Sequence, residues 1–348
     1  MIRLWNRFLK LYRVVTPYII RRAIGLCIMY IINYGDYDGY KKAKYWGEQK
    51  KRYGNLNSDK VFYVLRKYPK ATGLLSCYLT YLGHLYLIAD KKYIPVVDMM
   101  SNYYAMSHNS EQDANSVNAW EQYFEQLSEY DLKEVYNSRH VILAEGFTPK
   151  NEMELFDATP FTDKLIQKWH NIDKKYMRLK AELEEQFREE YEQLFGSKRI
   201  IGVMIREGYA KFNQFGMIKG HPVQPELEVI SQDLYKWLDE WKCDYIFIST
   251  ESRQTIEFMQ KIFSDKLLYT KRIRRDMTSK DYNDFLNKST EYVSSMTVQQ
   301  RNIDYLKEVY LLSKCTCLVC GKASATVVAS IWNGNRYEHR HFYDLGLY

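Results

Sequence analysis

Several familiar signals are missing from this 348-residue chain. The uncharged run behind its basic N-terminus, Ala23 to Gly35, is 13 residues, short of the ~20 that a membrane-spanning helix requires. No small-residue cleavage pattern of a secretory signal follows it. The six cysteines form no disulfide framework: Cys27, Cys77 and Cys243 are scattered, and Cys315, Cys317 and Cys320 fall in or beside a strand-like run. Alternation along a strand supplies no second cluster of metal ligands there, so all six read as small buried thiols suited to a reducing cytoplasm. No G-x-G-x-x-G follows a strand, which argues against nicotinamide or flavin binding. No G-x-x-x-x-G-K-[ST] occurs, which excludes a P-loop enzyme, and no D-x-D element is suited to a metal-bound diphosphate. An RNA-reading motif is absent as well, as are internal repeats and low-complexity tracts.

What is present is an ordinary globular composition, 46% apolar and 27% charged, at a length that favours two domains. Tyrosine is abundant, 32 residues, as suits clefts walled by rings with a polar tip; A/T-rich coding would enrich it equally. The net charge of +7 is uneven, because residues 1–22 hold six Arg or Lys and no acid. Leu4, Trp5, Phe8, Leu11 and Tyr12 interleave with Arg3, Arg7, Lys10 and Arg13. That pattern predicts a basic amphipathic helix resting on an anionic membrane face, or else docked on its own protein. Residues 1–55 form this membrane-proximal segment, and the expected location is cytoplasmic, peripheral on the inner face of the plasma membrane.

Residues 56–173 read as a first Rossmann-like domain. Val61–Leu65 is a strand, Gly73 opens a loop before a helix through Leu79, Leu82, Leu85 and Ile88, and Tyr93–Val97 is a second strand closed by Asp98. That βαβ cadence implies a parallel sheet. A polar loop covers 101–118, the aromatic segment 118–124 is expected against a cleft, and 139–147 is another strand. Residues 174–197 are a charged connecting helix, mostly a solvated face with i,i+4 pairs, stopped by Gly196.

Residues 198–348 alternate again. Strands are predicted at Ile200–Ile205, 244–250, 266–270 and 316–321, with helices at Pro225–Trp241, Ser252–Phe263, Ile303–Ser313 and Ala323–Trp332 and a long polar loop over 271–295. This is a doubly wound α/β domain, whose ligands sit beyond the strand carboxyl ends. Arg206 follows the first of these strands with no polar transition, and Thr250 and Glu251 follow the second. Gly321, Lys322, Ala323, Ser324 and Thr326 lead from the last strand into a helix. A helix N-terminus offers free N–H groups to phosphate, and an arginine fork matches phosphate geometry. Together they form a candidate pyrophosphate site. The plain alternatives are a surface ion pair of Arg206 with Glu207 or Glu251, and a simple helix-start hydroxyl at Ser324.

The blocks "GVMIR", "DYIFISTES" and "EVYLLSKCTCLVCGKAS" resemble the signature blocks of the α-1,6-fucosyltransferase clan, which includes rhizobial nodulation enzymes, eukaryotic core fucosyltransferases and, more distantly, peptide O-fucosyltransferases. The likeness runs over roughly residues 60–346, and "GHLYLIADKKYIPVVDM" with "NAWEQYF" is similar to bacterial polysaccharide-cluster transferases. The resemblance implies a GT-B fold, two Rossmann-like domains facing each other across a cleft, with a GDP-fucose donor, inversion at the anomeric carbon and no metal. It places the β-phosphate grip on Arg206, the acid of the T-D block on Glu251, a guanine-reading acid on Glu308 and a phosphate-binding serine on Ser324. The sequence departs from the family pattern at Met204, where the motif histidine stands, at Glu207, where a second arginine stands, in "EGYA" and at Ala323.

Sugar transfer from a nucleoside diphosphate must stabilise an anionic leaving group and deprotonate an acceptor hydroxyl. Segment 206–222 is expected to overhang the site, with Glu207 and His221 as candidate bases; His221 precedes Pro222 and could instead only position the next helix. "FGMIKG" reads as a mobile flap between Gly216 and Gly220. The basic run "KRIRRD" (271–276) could hold a phosphate or an anionic lipid-linked acceptor, or be a solvated charge run, and Glu308 could be an exposed helix residue. Acceptor-side candidates are Gly73, Ser76, Asp98, Asn118 and Trp120. The expectation is a metal-independent, inverting fucosyltransferase-like enzyme of surface-polysaccharide synthesis with a glycan or lipid-linked oligosaccharide acceptor. Its alternatives are a transferase for another nucleotide sugar and a non-catalytic sugar-nucleotide-binding relative.

Overall fold

The computed structural model describes residues 47–66, 73–100, 117–145, 162–216 and 220–348. The predicted N-terminal helix, most of the 101–118 loop and the centre of the "FGMIKG" segment lie outside these residues.

The first unit is a four-stranded sheet of order β1-β4-β2-β3, from β1 (Gly47–Lys51), β2 (Val61–Leu65), β3 (Tyr93–Val97) and β4 (Val141–Glu145). β2, β3 and β4 run parallel, and β1 closes one edge antiparallel to β4. Helix α1 (Leu74–Ile88) makes the crossover from β2 to β3. Leu75, Tyr78, Leu79, Tyr81, Leu82 and Leu85 are all buried along it, so it has almost no polar face and must be covered all round. The sheet covers one side; helices α3 (Asp163–Tyr176) and α10 (Ser324–Asn333) cover another. A one-turn helix, α2 (Leu132–Val135), precedes β4.

The second unit is a five-stranded, all-parallel sheet of order β7-β6-β5-β8-β9. Its strands are β5 (Ile200–Ile205), β6 (Tyr245–Thr250), β7 (Leu267–Leu268), β8 (Cys317–Gly321) and β9 (His339–Tyr343). Every residue of β5 is buried, as a central parallel strand covered on both faces requires. Ile201, Val203 and Ile246 pack under α6 (Leu227–Glu240) and α7 (Arg253–Phe263). Met204 and Phe247 pack under α9 (Val298–Lys314) and α10 on the opposite face. A single buried cluster runs from Tyr63 and Leu82 of the first unit to Phe247, Leu312 and Val328 of the second. The expected pair of Rossmann-like α/β units is present, joined through a shared core.

Five features differ from expectation. Strand β1 lies within residues 1–55, read as the membrane-proximal segment, and pairs into the first sheet instead. The charged connector is two helices, α3 and α4 (Ala181–Leu194). Met177–Lys180 breaks them because it pairs as extended chain with Tyr123–Glu125, through Glu125 N–H to Arg178 O and Lys180 N–H to Tyr123 O. Helix α5 (Glu207–Gln214) begins directly after Arg206. Within the supposed 271–295 loop lies α8 (Tyr282–Ser294), capped by the Asp281 side chain accepting from Asp284 N–H. Edge strand β9 was not visible as an apolar run because its residues are mostly half-exposed. The five described cysteines are free and buried, as expected. Among the described residues no helix is long and apolar enough to cross a membrane, and no group of His, Cys, Asp or Glu is placed to hold a metal.

Candidate functional site

Strand register brings the first two candidates together. Ile205 pairs with Thr250 at the carboxyl edge of β5 and β6, so the next residues, Arg206 and Glu251, emerge side by side. Arg206 Nη1 lies 3.6 Å from Glu251 Oε2, with both side chains half-buried. Burial alone would raise the Glu251 carboxyl. The charges of Arg206, Arg275 and Arg272, with the Gly208 backbone N–H, outweigh it and hold the group below the ordinary carboxylate value. The ion pair anticipated as the plain alternative is therefore real, but it is not a surface pair.

Both residues line a cavity of about 400 Å³ between the two units. Gly73, at the start of α1, supplies the wall from the first unit; Arg272, Arg275 and Arg301 supply the rest of its charge. Glu251 is the acid in that lining. The "KRIRRD" run is thus not a solvated face: the side chains of Arg272 and Arg274 are 5% and 8% exposed. What buries them is Glu308. Its carboxylate, fully buried on α9, accepts from the Ser249 hydroxyl at 2.8 Å and the Thr270 hydroxyl at 2.7 Å. It also pairs with Arg272 Nε at 3.1 Å and Arg274 Nη2 at 3.2 Å. Arg272 Nη2 donates further to Thr250 O at 2.7 Å. Glu308 is neither an exposed helix residue nor part of the cavity lining, and both its oxygens are engaged by protein groups.

The helix start at the end of β8 does not converge on this cavity. Gly321, Lys322, Ser324 and Thr326 are absent from its lining. A Cβ at Gly321 would lie 2.4 Å from Gln224 Oε1; the buried Gln224 amide fills the space in front of β8 and donates to Pro222 O and Lys322 O. Lys322 faces a separate cavity of about 240 Å³ roofed by the C-terminal residues Tyr343–Leu347. Thr326 Oγ1 accepts from Ala323 N–H and closes the first turn of α10. Its role here is a cap.

Glu207 opens α5 and accepts from the Thr255 hydroxyl on α7. It borders, with Arg206, another open cavity of about 660 Å³ on the far side of α5. His221 is partly buried, and burial together with the Arg206 charge lowers it from its ordinary value, so it is neutral near pH 7.

Most of the acceptor-side candidates are structural. Trp120 is fully buried, stacked on Phe124 with ring centroids 4.4 Å apart, and its Nε1 donates to Glu125 O. Asn118 donates to Val97 O and accepts from Met99 N–H, closing the end of β3. Asp98 is tied to Arg66 at 3.4 Å and accepts from the Tyr136 hydroxyl at 2.5 Å. Ser76, on α1, is half-buried and outside the cavity lining. Gly73 alone of this group reaches the cavity.

The architecture has solved counterparts. NodZ α-1,6-fucosyltransferase soaked with GDP-fucose is similar at a TM-score of 0.46 and 12% identity, over 78% of this chain and 92% of that one. The fucosyltransferase NodZ from Bradyrhizobium gives 0.42 and 12%, over 78% and 92%. The apo form of POFUT1 gives 0.46 and 8%, over 84% of this chain and all of that one. At these identities the likeness is one of fold alone. No protein-family model matches the sequence, and no curated protein does.

Arg301 and Tyr292, which also line the cavity, had no signal in the sequence, since one falls between the predicted loop and the predicted helix Ile303–Ser313 and the other in the segment read as loop. Arg272 and Arg275 did have one. The run at 271–276 holds four cations and a single acid, more than a solvated turn needs.

Proposed function

We propose that the chain is a glycosyltransferase that binds a nucleoside-diphosphate sugar in the arginine-lined cavity between its two units. The observation that carries this is the convergence of Arg206, Arg272, Arg275 and Arg301 on one interdomain space of about 400 Å³, with Glu251 as the lining acid. A cavity of that size and charge suits a diphosphate whose negative charge grows as the sugar departs, and fixed guanidiniums stabilise that change without reorganising. The resemblance of the sequence blocks to those of fucosyltransferases makes GDP-fucose the donor to test first.

In this reading Arg206 grips the diphosphate, and Glu251 aligns Arg206 through the ion pair while its own charge is neutralised. Among the described residues Glu251 is the one carboxylate of the lining, and it is paired with Arg206. Neither His221 nor Glu207 is among the residues that line this cavity; of the two, His221, kept neutral beside Arg206, is the better candidate base, since Glu207 is held by Thr255. The acceptor would enter from the Gly73 side of the cavity.

Release of GDP from GDP-fucose by the full chain, compared with Arg206→Ala, tests the activity; equal turnover by both would defeat the reading. Stabilisation by GDP, UDP and dTDP measured side by side tests the base, and stabilisation by UDP alone would remove GDP-fucose as donor. The basic residues 1–22 support a peripheral position on an anionic membrane. Co-sedimentation with anionic vesicles that is unchanged by deleting residues 1–22 would refute that placement.

A further inference from the structure

Arg275 holds two buried donors that have nothing to give to. Its Nε and Nη2 find no hydrogen-bond partner among the described residues, although the residue is only 9% exposed and lines the cavity. The guanidinium lies 4.3 Å from the Phe285 ring centroid on α8, a stacking contact that fixes its plane. Unsatisfied donors on a buried charged group destabilise a fold, and a residue that carries them in a cavity wall is a candidate contact for an anion.

The position of Arg275 is set, not incidental. Its backbone N–H donates to Glu251 O at 2.7 Å, and its carbonyl accepts from Arg253 N–H at 2.9 Å. The preceding arginines are anchored by Glu308, which is itself held by Ser249 on β6 and by Thr270. Segment 270–275 is therefore clamped at both ends, and the clamp presents Arg272 and Arg275 to the space that Arg206 and Arg301 also face.

We propose that Arg275, with Arg272 and Arg301 beside it, is a second phosphate seat, that the two phosphates of the ligand are shared between Arg206 and this seat, and that Glu308 is the positioning residue that holds it. The proposal rests on the nucleoside-diphosphate reading of the same cavity. It moves the phosphate site from the start of α10 to segment 270–275, and it gives Glu308 a role in phosphate binding and none in reading the base.

Calorimetric titration of the full chain with inorganic pyrophosphate, GDP, UDP and GMP tests this, using wild type, Arg275→Met and Glu308→Gln. Methionine keeps the length and the contact with Phe285. Arg275→Met is expected to weaken pyrophosphate and GDP by about tenfold or more and GMP by less than about threefold. Its unfolding midpoint is expected not to fall, because two unsatisfied buried donors have been removed; a purely structural arginine would lower the midpoint and leave binding alone. Glu308→Gln is expected to weaken pyrophosphate and GDP by the same factor.

Unchanged pyrophosphate and GDP affinity in Arg275→Met would overturn the seat while leaving the nucleotide reading intact. Loss of GDP but not pyrophosphate binding in Glu308→Gln would make Glu308 a base contact and overturn its positioning role. Wild type that binds pyrophosphate but neither GDP nor UDP would refute the nucleotide reading and leave the seat standing, and wild type that binds none of the four would refute both.

Discussion

Gly208 makes room for Glu251: a Cβ at position 208 would stand 2.5 Å from Glu251 Oε1. The Gly208 N–H bonds the same carboxylate, and the other oxygen of that group lies 3.6 Å from Arg206. The first turn of α5 thus positions the acid that positions the arginine. Gly208→Ala would gain about 0.5–1 kcal/mol of helix propensity and displace the carboxylate. The two effects offset, so urea unfolding is expected to stay within about 1 kcal/mol of wild type. Affinity for GDP is expected to fall about three- to tenfold, read by titration.

Glu308→Ala should be costly even without ligand. It would leave Arg272 and Arg274 buried with no carboxylate and strip the Ser249 and Thr270 hydroxyls of their acceptor. Removing one partner of a buried ion pair typically costs about 3–5 kcal/mol, measurable by urea unfolding of the apo protein. A loss under about 1 kcal/mol, typical of exposed positions, would contradict the clamp.

Trp120→Ala separates a core residue from a cleft wall. The ring is enclosed by Phe124, Tyr81 and Tyr78, and large-to-small changes at such sites cost about 3–5 kcal/mol. A marked fall in the denaturation midpoint is expected, with any loss of activity following the loss of folded protein.

Asp173 should give the stability an acid-side slope of unusual sign. It accepts from the Tyr78 hydroxyl at the junction of the two units, where Trp332 Nε1 donates to the same hydroxyl at 2.9 Å. Burial, against the opposing hydrogen bonds, pushes its carboxyl up to about 7. The folded state therefore holds this proton more tightly than the unfolded chain does. Its contribution is full below about pH 4 and is lost as pH rises to about 7. Asp173→Asn keeps an acceptor oxygen and removes the charge. It is expected to flatten that slope and to be more stable than wild type by about 1–3 kcal/mol at pH 8, checked by unfolding at pH 5 and pH 8.

The second sheet was legible because its strands carry their own signal. Ile200–Ile205 and Tyr245–Thr250 are apolar runs with sharp ends, which by itself places Arg206 and Glu251 at one edge. The helix at 282–294 was hidden by its polar composition, leaving Asp281 as its only cue. The start of α10 looked like a phosphate site because Gly321 and Ser324 read correctly as a strand-to-helix turn. Nothing local shows that Gln224, nearly a hundred positions away, fills the space in front of it.

Sequence alone determined two parallel α/β units and an arginine and an acid at the carboxyl edge of the second, because strand periodicity and strand ends are local properties. Tertiary structure decided which of the many charges face the cavity. Whether an arginine such as Arg272 is solvated or buried depends on finding Glu308 from a distant helix, and desolvation is settled by what lies around a group in space, not by its neighbours along the chain.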